Sequence, residues 1–286
     1  MNDAEEVVGT SPAHRAAVWT RLGGLREIPL IEGFAHSEAV AVNARGEVAG
    51  VLYDAAFDRH RSFVFTGGRL ILLPGEQARA YAINDSGIVV GESLPPGGRR
   101  TEPATWIDAL LHPIPSCCGG TAKAVNAAGQ VVGDSYDHEG RYHAFLWSAA
   151  AGARAIGPPD RYSSAAAVNA RGEAVVQSLR WTYWYGAAGL TRLELSPRFP
   201  AHPRALNGCG ILVGSFGPFS DKDRAFAWSA SQGFLDLNTR LGESPGWKLE
   251  AAYGINDRGS IVGKGDVGGE QEVGFLLSPA PDLAAP

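Results

Sequence analysis

Short alternating runs of apolar and polar residues recur along the whole chain, and they predict many short β-strands. The most regular run, A-x-A-[IVL]-N-x-x-G-x-V-V-G, alternates up to an asparagine and resumes after a glycine. Because strand side chains alternate between the two faces of a sheet, each half of the run predicts one strand. The asparagine, the polar residues and the glycine between the halves suit a tight turn.

This run is an internal repeat, and a fixed period of this length determines the architecture. Successive asparagines lie 41, 42, 43, 38 and 49 residues apart, at Asn43, Asn84, Asn126, Asn169, Asn207 and Asn256. A seventh copy fits around Asn2, where Glu5 stands in the usual glycine position. Seven copies of a repeat of about 42 residues therefore cover nearly the whole chain.

Each copy predicts four strands. Strand a ends at the asparagine, strand b is the V-V-G segment, strand c ends in a large side chain, and strand d follows a glycine turn. The large side chains are Trp19, Phe65, Trp106, Trp147, Trp184, Trp228 and Leu277. Four short strands in each repeat are typical of a β-propeller blade. A β-helix is the alternative, although its coils are usually shorter and contain fewer turns.

The strand count leaves two ring sizes open. The first copy begins after its strand a and the seventh ends after its strand c, which predicts 26 strands. Seven blades use this number, and so do six blades with a spare hairpin whose strand d near 25–28 closes the ring. We favour seven because V-V-G and Trp19 are well kept in the first copy. The sequence thus predicts an all-β propeller over 1–279 and a flexible tail over 280–286.

The repeat resembles the HAF-repeat family, named for its H-A-F triplet. The triplet stands as His143-Ala144-Phe145, with variants at Arg224-Ala225-Phe226 and His14-Arg15-Ala16. The A-x-A-I-N-D-x-G-x-V-V-G stretch is the other half of the resemblance, which covers nearly the whole chain. It implies a propeller, usually described as extracellular and of unknown function. The chain departs from the pattern because it has no secretion signal, so it is either an intracellular member or its start is set too late.

Composition excludes several classes of function. The net charge is −5 and no basic block stands out, which argues against nucleic acid or an anionic membrane as partner. No apolar run approaches the roughly 18 residues of a membrane span, and the acidic N-terminus has no charged-then-apolar secretion signal. As written, the sequence predicts a cytoplasmic protein, or an extracellular one if the start is too late.

The sequence contains none of the catalytic, cofactor-binding or metal-binding motifs that we searched for. Three cysteines make neither a disulfide framework nor a zinc site, and the seven histidines are scattered. There is no P-loop, dinucleotide fingerprint or nucleophile elbow. We therefore predict no cofactor and no metal, although sequence spacing does not reveal a site assembled across blades.

The repeat distinguishes residues that recur in each copy, which form the framework, from residues that vary and could serve a function. Asparagines, glycines and the large side chains of strand c recur, so we assign them to the framework. One slot of strand c holds Arg15, Arg61, His143, Arg180 and Arg224, and we interpret it as a contact between blades. The a–b and c–d turns are uniform, whereas the b–c loops and d–a connections vary. A scaffold with one variable face usually carries its site there.

With strand a innermost, as in propellers generally, residues three and five positions before each asparagine surround the channel mouth. Trp247 is added from the longest d–a loop, as a lid or partner contact. The candidate ligand-binding residues are Glu38, Arg79, Tyr81, Lys123, His202, Arg204, Trp247 and Tyr253. This mixture suits a polar or anionic ligand with an aromatic portion. In the alternative interpretation, these side chains fill a wet channel or pair with one another.

Two local departures from the repeat are further candidates. Cys117 and Cys118 are a redox pair, a nucleophile or a soft-metal ligand, or simply two solvent-side thiols. The copy through Asn169 has V-V-Q in place of V-V-G, and Trp181 stands where other copies have a small residue. Trp181 is either a plug in a widened blade interface or part of a binding wall.

Three functions remain open from the sequence. The first is a recognition scaffold that binds a small molecule, peptide or protein on the variable-loop face. The alternative is a propeller enzyme of the lyase, hydrolase or cyclase type, using the same channel-mouth residues in a biosynthetic pathway. The third is a structural, envelope-associated protein of the extracellular HAF type.

Overall fold

In the computed structural model, twenty-six strands of the described residues form seven antiparallel sheets, which are the blades of a β-propeller. The structure describes residues 1–116, 118–159, 162–179, 181–195, 199–218, 223–241 and 246–279, without the side chain of Gln271. Each blade is a meander in which sequential strands are neighbours. The predicted seven blades and 26 strands are therefore confirmed.

Blades 1 to 4 occupy the first half of the chain. Blade 1 contains β1 (Val7–Thr10), β2 (Ala16–Thr20) and β3 (Gly24–Glu27). Blade 2 contains β4 (His36–Val42), β5 (Val48–Tyr53), β6 (His60–Thr66) and β7 (Arg69–Leu72). Blade 3 contains β8 (Glu76–Ile83), β9 (Val89–Leu94), β10 (Glu102–Ile107) and β11 (Leu110–Pro113). Blade 4 contains β12 (Gly120–Val125), β13 (Val131–Tyr136), β14 (Tyr142–Ser148) and β15 (Gly152–Ala155).

Blades 5 to 7 complete the ring. Blade 5 contains β16 (Ser164–Val168), β17 (Ala174–Ser178), β18 (Trp181–Gly186) and β19 (Gly189–Leu193). Blade 6 contains β20 (Ala201–Leu206), β21 (Leu212–Phe216), β22 (Arg224–Ser229) and β23 (Gly233–Asp236), followed by a 3-10 turn (Leu237–Arg240). Blade 7 contains β24 (Trp247–Ile255), β25 (Ile261–Val267) and β26 (Glu270–Leu277). Within the described ranges, no helix has the length and apolarity to cross a membrane.

Two blades have three strands each. Blade 1 consists of strands b, c and d, and blade 7 consists of strands a, b and c, as the position of the repeat predicts. The six-blade alternative required the strand near 25–28 to join the last sheet. That alternative is wrong, because β3 pairs with β2 in a sheet of its own.

The hydrophobic core is divided among the spaces between blades. Six buried clusters fill the six interfaces from blades 1 and 2 through to blades 6 and 7. Between blades 3 and 4, for example, Val90 packs with Ile114 and Phe145. Six of the seven large side chains of strand c join this packing, and Trp106 is only 1% exposed. Small residues of strand a let neighbouring blades approach closely.

In blades 2, 3, 4, 6 and 7, the glycine of the V-V-G segment makes room for this close approach. Strand a bulges opposite it, and a Cβ built at Gly91 would overlap the carbonyl oxygen of Arg79. In blade 5 the residue in this position is Val176, which pairs with Ala165. The prediction that Gln177 replaces the glycine is therefore wrong, since the position is counted from the asparagine.

A ladder of asparagines joins the blades at the a–b turns. None of the seven is more than 6% exposed. Each side-chain oxygen accepts amide hydrogens of its own turn, and in six of them the side-chain nitrogen donates to the carbonyl oxygen of the next asparagine. These bonds measure 2.9–3.2 Å and run through Asn207, Asn256, Asn2, Asn43, Asn84, Asn126 and Asn169. Between blades 5 and 6, Arg171 Nη1 donates to Gly208 O at 2.9 Å.

The contacts of Glu5 explain why this residue stands where the other copies have glycine. Its backbone has a φ of +59°, a left-handed conformation that glycine adopts more easily. Its carboxylate accepts hydrogen bonds from Ser260 Oγ at 2.8 Å, Arg21 Nη2 at 3.1 Å and Ser278 Oγ at 3.3 Å. Because Ser260 and Ser278 belong to blade 7 and the segment after it, Glu5 helps to join the two ends of the ring.

The charged slot of strand c was predicted to form contacts between blades, but the polar contacts of Arg15, His143 and Arg224 lie within their own blades. Arg224 pairs with Asp236 at 2.7 Å, and Arg15 Nε lies 3.8 Å from Glu27. His143 Nε2 lies 3.0 Å from Asp137 Oδ2. The partners follow from the meander, because strand c lies between strands b and d of the same sheet. Arg180 lies outside the described residues.

Candidate ligand site at the channel mouth

The inner strands bring distant residues of the repeat side by side. Strands a of neighbouring blades, such as β4, β8 and β12, contact one another, which supports the innermost position assumed for them. The candidate residues on these strands therefore meet in pairs across blade interfaces. Three polar clusters result, at blades 2 and 3, at blades 3 to 5, and at blades 6 and 7.

The first cluster centres on Glu38. Its Oε1 accepts a hydrogen bond from Tyr53 OH at 2.6 Å and one from Arg79 Nη2 at 3.0 Å. Burial, together with this bond to a carboxylate, raises the pKa of Tyr53 far above its usual value. The Arg79 guanidinium also lies 5.7 Å from the ring centre of Tyr81. Glu38 and Arg79 thus neutralise each other in the channel wall.

The second cluster contains two acids that the sequence analysis missed. Tyr81 OH donates to Glu92 Oε1 at 3.0 Å, and Thr121 Oγ1 donates to Glu92 Oε2 at 3.0 Å. Lys123 forms an ion pair with Asp134, which is 6% exposed. Glu92 and Asp134 both stand directly after the glycine of V-V-G, where the residue differs in every copy. That variability is the signal that could have identified them.

Lys123 is further held by a hydroxyl of the next blade. Its Nζ donates to Ser164 Oγ at 2.7 Å, and Ser164 Oγ donates to Asp134 Oδ1 at 2.7 Å. The carboxylate therefore compensates the lysine charge within a closed triangle.

The third cluster differs because its cation, Arg204, has no carboxylate partner among the described residues. The Arg204 guanidinium lies 4.9 Å from the ring centre of Tyr253, which is 45% exposed. Among the described residues, no carboxylate lies within 4.0 Å of the Arg204 guanidinium. Two lysines on blade 7 are paired, Lys248 with Glu250 at 2.8 Å and Lys264 with Glu272 at 2.6 Å. His202 lies two residues before Arg204 on β20.

Trp247 lies on a strand rather than in a loop. It is the first residue of β24, pairs with Val267, and packs partly buried against the cluster between blades 6 and 7. The sequence indicated a d–a connection over about 237–250, but β24 already begins at 247, because the tryptophan has an apolar surface to cover. A contact between Trp247 and a ligand stays a prediction.

The other local candidates lie away from these clusters. Cys118 Sγ is 3.4 Å from His138 Nδ1, and Cys117 lies outside the described residues. Trp181 stacks under the Arg192 guanidinium of its own blade at 3.3 Å. In the part of the chain that the structure describes, no group of three or more histidine, cysteine or acidic residues is placed to hold a metal ion.

Solved structures share this fold at low sequence identity. Virginiamycin B lyase from Staphylococcus aureus is 12% identical, with a TM-score of 0.61 over 96% of this chain and 94% of that one. The propeller domain of the Trilobed protease from Pyrococcus furiosus, which has an open velcro topology, is 8% identical, with a TM-score of 0.60 over 95% and 92%. A puromycin-hydrolyzing peptidase from Mycobacterium tuberculosis is 15% identical, with a TM-score of 0.62 over 97% of this chain and 52% of that one.

These likenesses establish the fold and nothing finer, because identities are so low. The chain spans about half the length of the puromycin-hydrolyzing peptidase that it matches. No protein-family model matches the chain, and no curated protein matches it.

Proposed function

We propose that the protein is a recognition module that binds a small organic anion with a planar portion, at blades 6 and 7 of the channel mouth. The observation that carries this proposal is the exposed Arg204 beside the exposed ring of Tyr253. An arginine without a carboxylate partner offers its donors to a carboxylate or phosphate. The ring beside it offers a face on which a planar group can stack.

The other candidate cations have a different role in this proposal. Arg79 is paired with Glu38, and Lys123 is paired with Asp134. The first pair joins blades 2 and 3, and the second lies within blade 4 and is linked to blade 5 through Ser164, so both hold the channel wall in shape. Net affinity for an anion then comes from Arg204, because a compensated charge attracts a ligand weakly.

Binding is favoured over catalysis because the candidate acid–base groups are already engaged. The hydroxyl groups of Tyr53 and Tyr81 donate to carboxylates, and burial with these bonds raises both pKa values far above their usual range. Such phenols neither accept nor release a proton near neutral pH. His202 is the candidate that a propeller enzyme of the lyase, hydrolase or cyclase type would use, because it shares β20 with Arg204.

Calorimetric titration with benzoate, acetate and benzyl alcohol tests the proposal. Benzoate carries both the charge and the ring, so we expect it to bind more tightly than either of the others. Arg204→Gln should weaken benzoate binding about tenfold to a hundredfold, since a hydrogen bond to a charged group contributes about 1.5–3 kcal/mol. Tyr253→Ala should weaken it less, by about fivefold.

Arg45→Gln is the matched control, because Arg45 is exposed at an a–b turn, on the opposite face, and pairs there with Glu47. It should leave benzoate binding unchanged. If both arginine variants weaken binding equally, or if acetate and benzyl alcohol bind as well as benzoate, the proposed site is wrong.

A further inference from the structure

A cavity of about 440 Å³ lies between blades 2 and 3 on the variable-loop face. It is lined by the d–a connection that enters blade 3, by the b–c loop of that blade, and by residues of strands c and d. Both blades have all four strands, and residues 1–116 are described without a gap, so the segments around the cavity are in place. The lining includes none of the channel-mouth candidates, and a volume of this size suits a small organic molecule.

The walls of this cavity are mainly apolar and stiff. Its proline residues are Pro74, Pro95, Pro96, Pro103 and Pro113. A proline ring fixes the backbone φ at its own residue. The carbonyl oxygen of Pro74 is also held in place, because Trp106 Nε1 donates to it at 2.8 Å. Such a wall loses little freedom when a ligand binds, which favours affinity.

Two charged residues of the lining occupy the same position of the repeat in neighbouring blades. Arg61 belongs to the charged slot of strand c in blade 2. The strand register places Glu102 in the same slot of blade 3, since each residue stands two positions before the partner of the strand-b glycine. One slot therefore brings a positive and a negative charge to a single cavity.

Strand d does not supply partners for these two charges. In blade 6, the slot residue Arg224 pairs with Asp236 of strand d at 2.7 Å. Leu72 occupies the position of Asp236 in blade 2, and Pro113 occupies it in blade 3. The acid that compensates the slot residue in blade 6 is therefore replaced by an apolar residue in both blades that form the cavity.

The contacts of the two slot residues leave most of their hydrogen-bonding capacity unused. Arg61 is partly buried, its Nη2 donates to Leu73 O at 3.3 Å, and its Nε is buried without an acceptor. Among the described residues, no carboxylate lies within 4.0 Å of the Arg61 guanidinium, and no side-chain hydrogen bond or ion pair reaches the Glu102 carboxylate. A guanidinium in this state gains from an added carboxylate, and a carboxylate gains from an added ammonium group.

A third charged residue, Glu76, favours a ligand that carries a positive group. It is exposed at the start of β8, where the strand bulges before Arg79 and holds Gln77 at a left-handed φ of +46°. A bulge re-aims the side chains beside it, and Glu76 lines the cavity. With two carboxylates and one guanidinium, the cavity complements an ammonium group and a single carboxylate, and it repels a dianion.

We infer that this cavity binds a zwitterion of dipeptide size with apolar side chains. Arg61 takes its carboxylate, Glu102 and Glu76 take its ammonium group, and the prolines and Leu111 pack against its side chains. Two residues fit better than one, because consecutive Cα atoms lie about 3.8 Å apart and an extended dipeptide therefore holds its charged ends well separated. The site is separate from Arg204 and does not depend on the proposed function.

Titration of the whole protein with leucyl-leucine, followed by amide NMR, tests this inference. We expect the shifts to concentrate at Ser93, Ala104 and Leu111, which report on this cavity separately from the channel mouth. The C-terminal amide of the dipeptide lacks the carboxylate for Arg61, and its N-acetyl form lacks the ammonium group for Glu102. Each should bind at least about tenfold more weakly than leucyl-leucine.

Three variants assign the charges. Arg61→Gln should weaken leucyl-leucine by about tenfold or more and leave the C-terminal amide unchanged, whereas Glu102→Gln should weaken leucyl-leucine and leave the N-acetyl form unchanged. Neither variant breaks an ion pair of the described residues, so the Tm should stay within about 2 °C of the parent. Arg224→Gln is the matched control, because Arg224 occupies the same slot but is paired with Asp236, and it should leave binding unchanged.

Several results would overturn the inference. The parent protein must show the shifts at Ser93 and Leu111 with leucyl-leucine, and their absence rules the site out. If the amide and the N-acetyl form bind as tightly as leucyl-leucine, the cavity does not recognise a zwitterion; this comparison uses the parent protein alone and holds even if a variant fails to fold. Equal losses in Arg61→Gln and Arg224→Gln would show that the effect does not come from this cavity.

Discussion

The interface between blades 3 and 4 and the interface between blades 7 and 1 share their polar contacts and differ in their interiors. Asn84 donates to Asn126 O at 2.9 Å in the first, and Asn256 donates to Asn2 O at 3.2 Å in the second. The first interface is filled by β12 and a buried cluster. The second encloses an apolar cavity of about 300 Å³, which is lined by Val8 and Trp19 of blade 1 and by Phe275 of blade 7. Ring closure at the turn face and packing between blades are thus separable in this propeller.

The largest expected effect is the difference in stability between valine substitutions at Gly91 and at Gly9. Gly91→Val places a side chain against the Arg79 carbonyl oxygen, so we expect a loss of about 3 kcal/mol in the free energy of unfolding. Gly9→Val should change it by less than about 0.5 kcal/mol, because the surrounding space is open. Urea unfolding measures both. Equal losses would show that the inner-strand position of blade 1 is filled.

A second prediction concerns the asparagine ladder. Asn84→Ala leaves two turn amides and the Asn126 carbonyl oxygen without their partner, and should cost about 2 kcal/mol. Asn256→Ala should cost a similar amount and also speed hydrogen exchange in β1, since it loosens the junction of the chain ends. The idea that the ladder closes the ring fails if Asn256→Ala is neutral while Asn84→Ala is not.

The smallest expected effect is a pH dependence at the same junction. Hydrogen bonds from Ser260 and Arg21 lower the pKa of Glu5. A lowered folded-state pKa gives stability that is present above the unfolded pKa of about 4.3 and is lost as pH falls through the folded value. The parent should therefore lose slightly more stability than Glu5→Gln between about pH 5 and pH 3, by less than about 1 kcal/mol. Parallel losses in urea unfolding at these pH values would contradict this role of Glu5.

The sequence predicts the ring well because a repeat reports the same information seven times. Blade number, strand order and the incomplete first and last blades all follow from the position of the asparagines. An irregular copy is harder to align with the others. For this reason the sequence pattern assigns Gln177 to the glycine position of the repeat, which Val176 occupies in the structure.

The candidate site follows from the sequence only in part. The topology identifies the inner-strand residues, and the structure brings Glu38 beside Arg79 and Arg204 beside Tyr253. The remaining contacts depend on Glu92 and Asp134, two acids of strand b that bond to hydroxyl groups of the next blade, and Asp134 also compensates Lys123. Their partners lie 29 and 30 residues away at Thr121 and Ser164, and no local pattern links them.

The asparagine ladder also bears on how such a ring grows. In six of the seven blades the same amide donates, and in the same rotational sense, to a main-chain oxygen of the next blade. Duplication or deletion of one whole repeat would therefore bring a matching donor and acceptor together at the new junction. The asparagine hydrogen bonds that close the ring therefore do not depend on the number of blades.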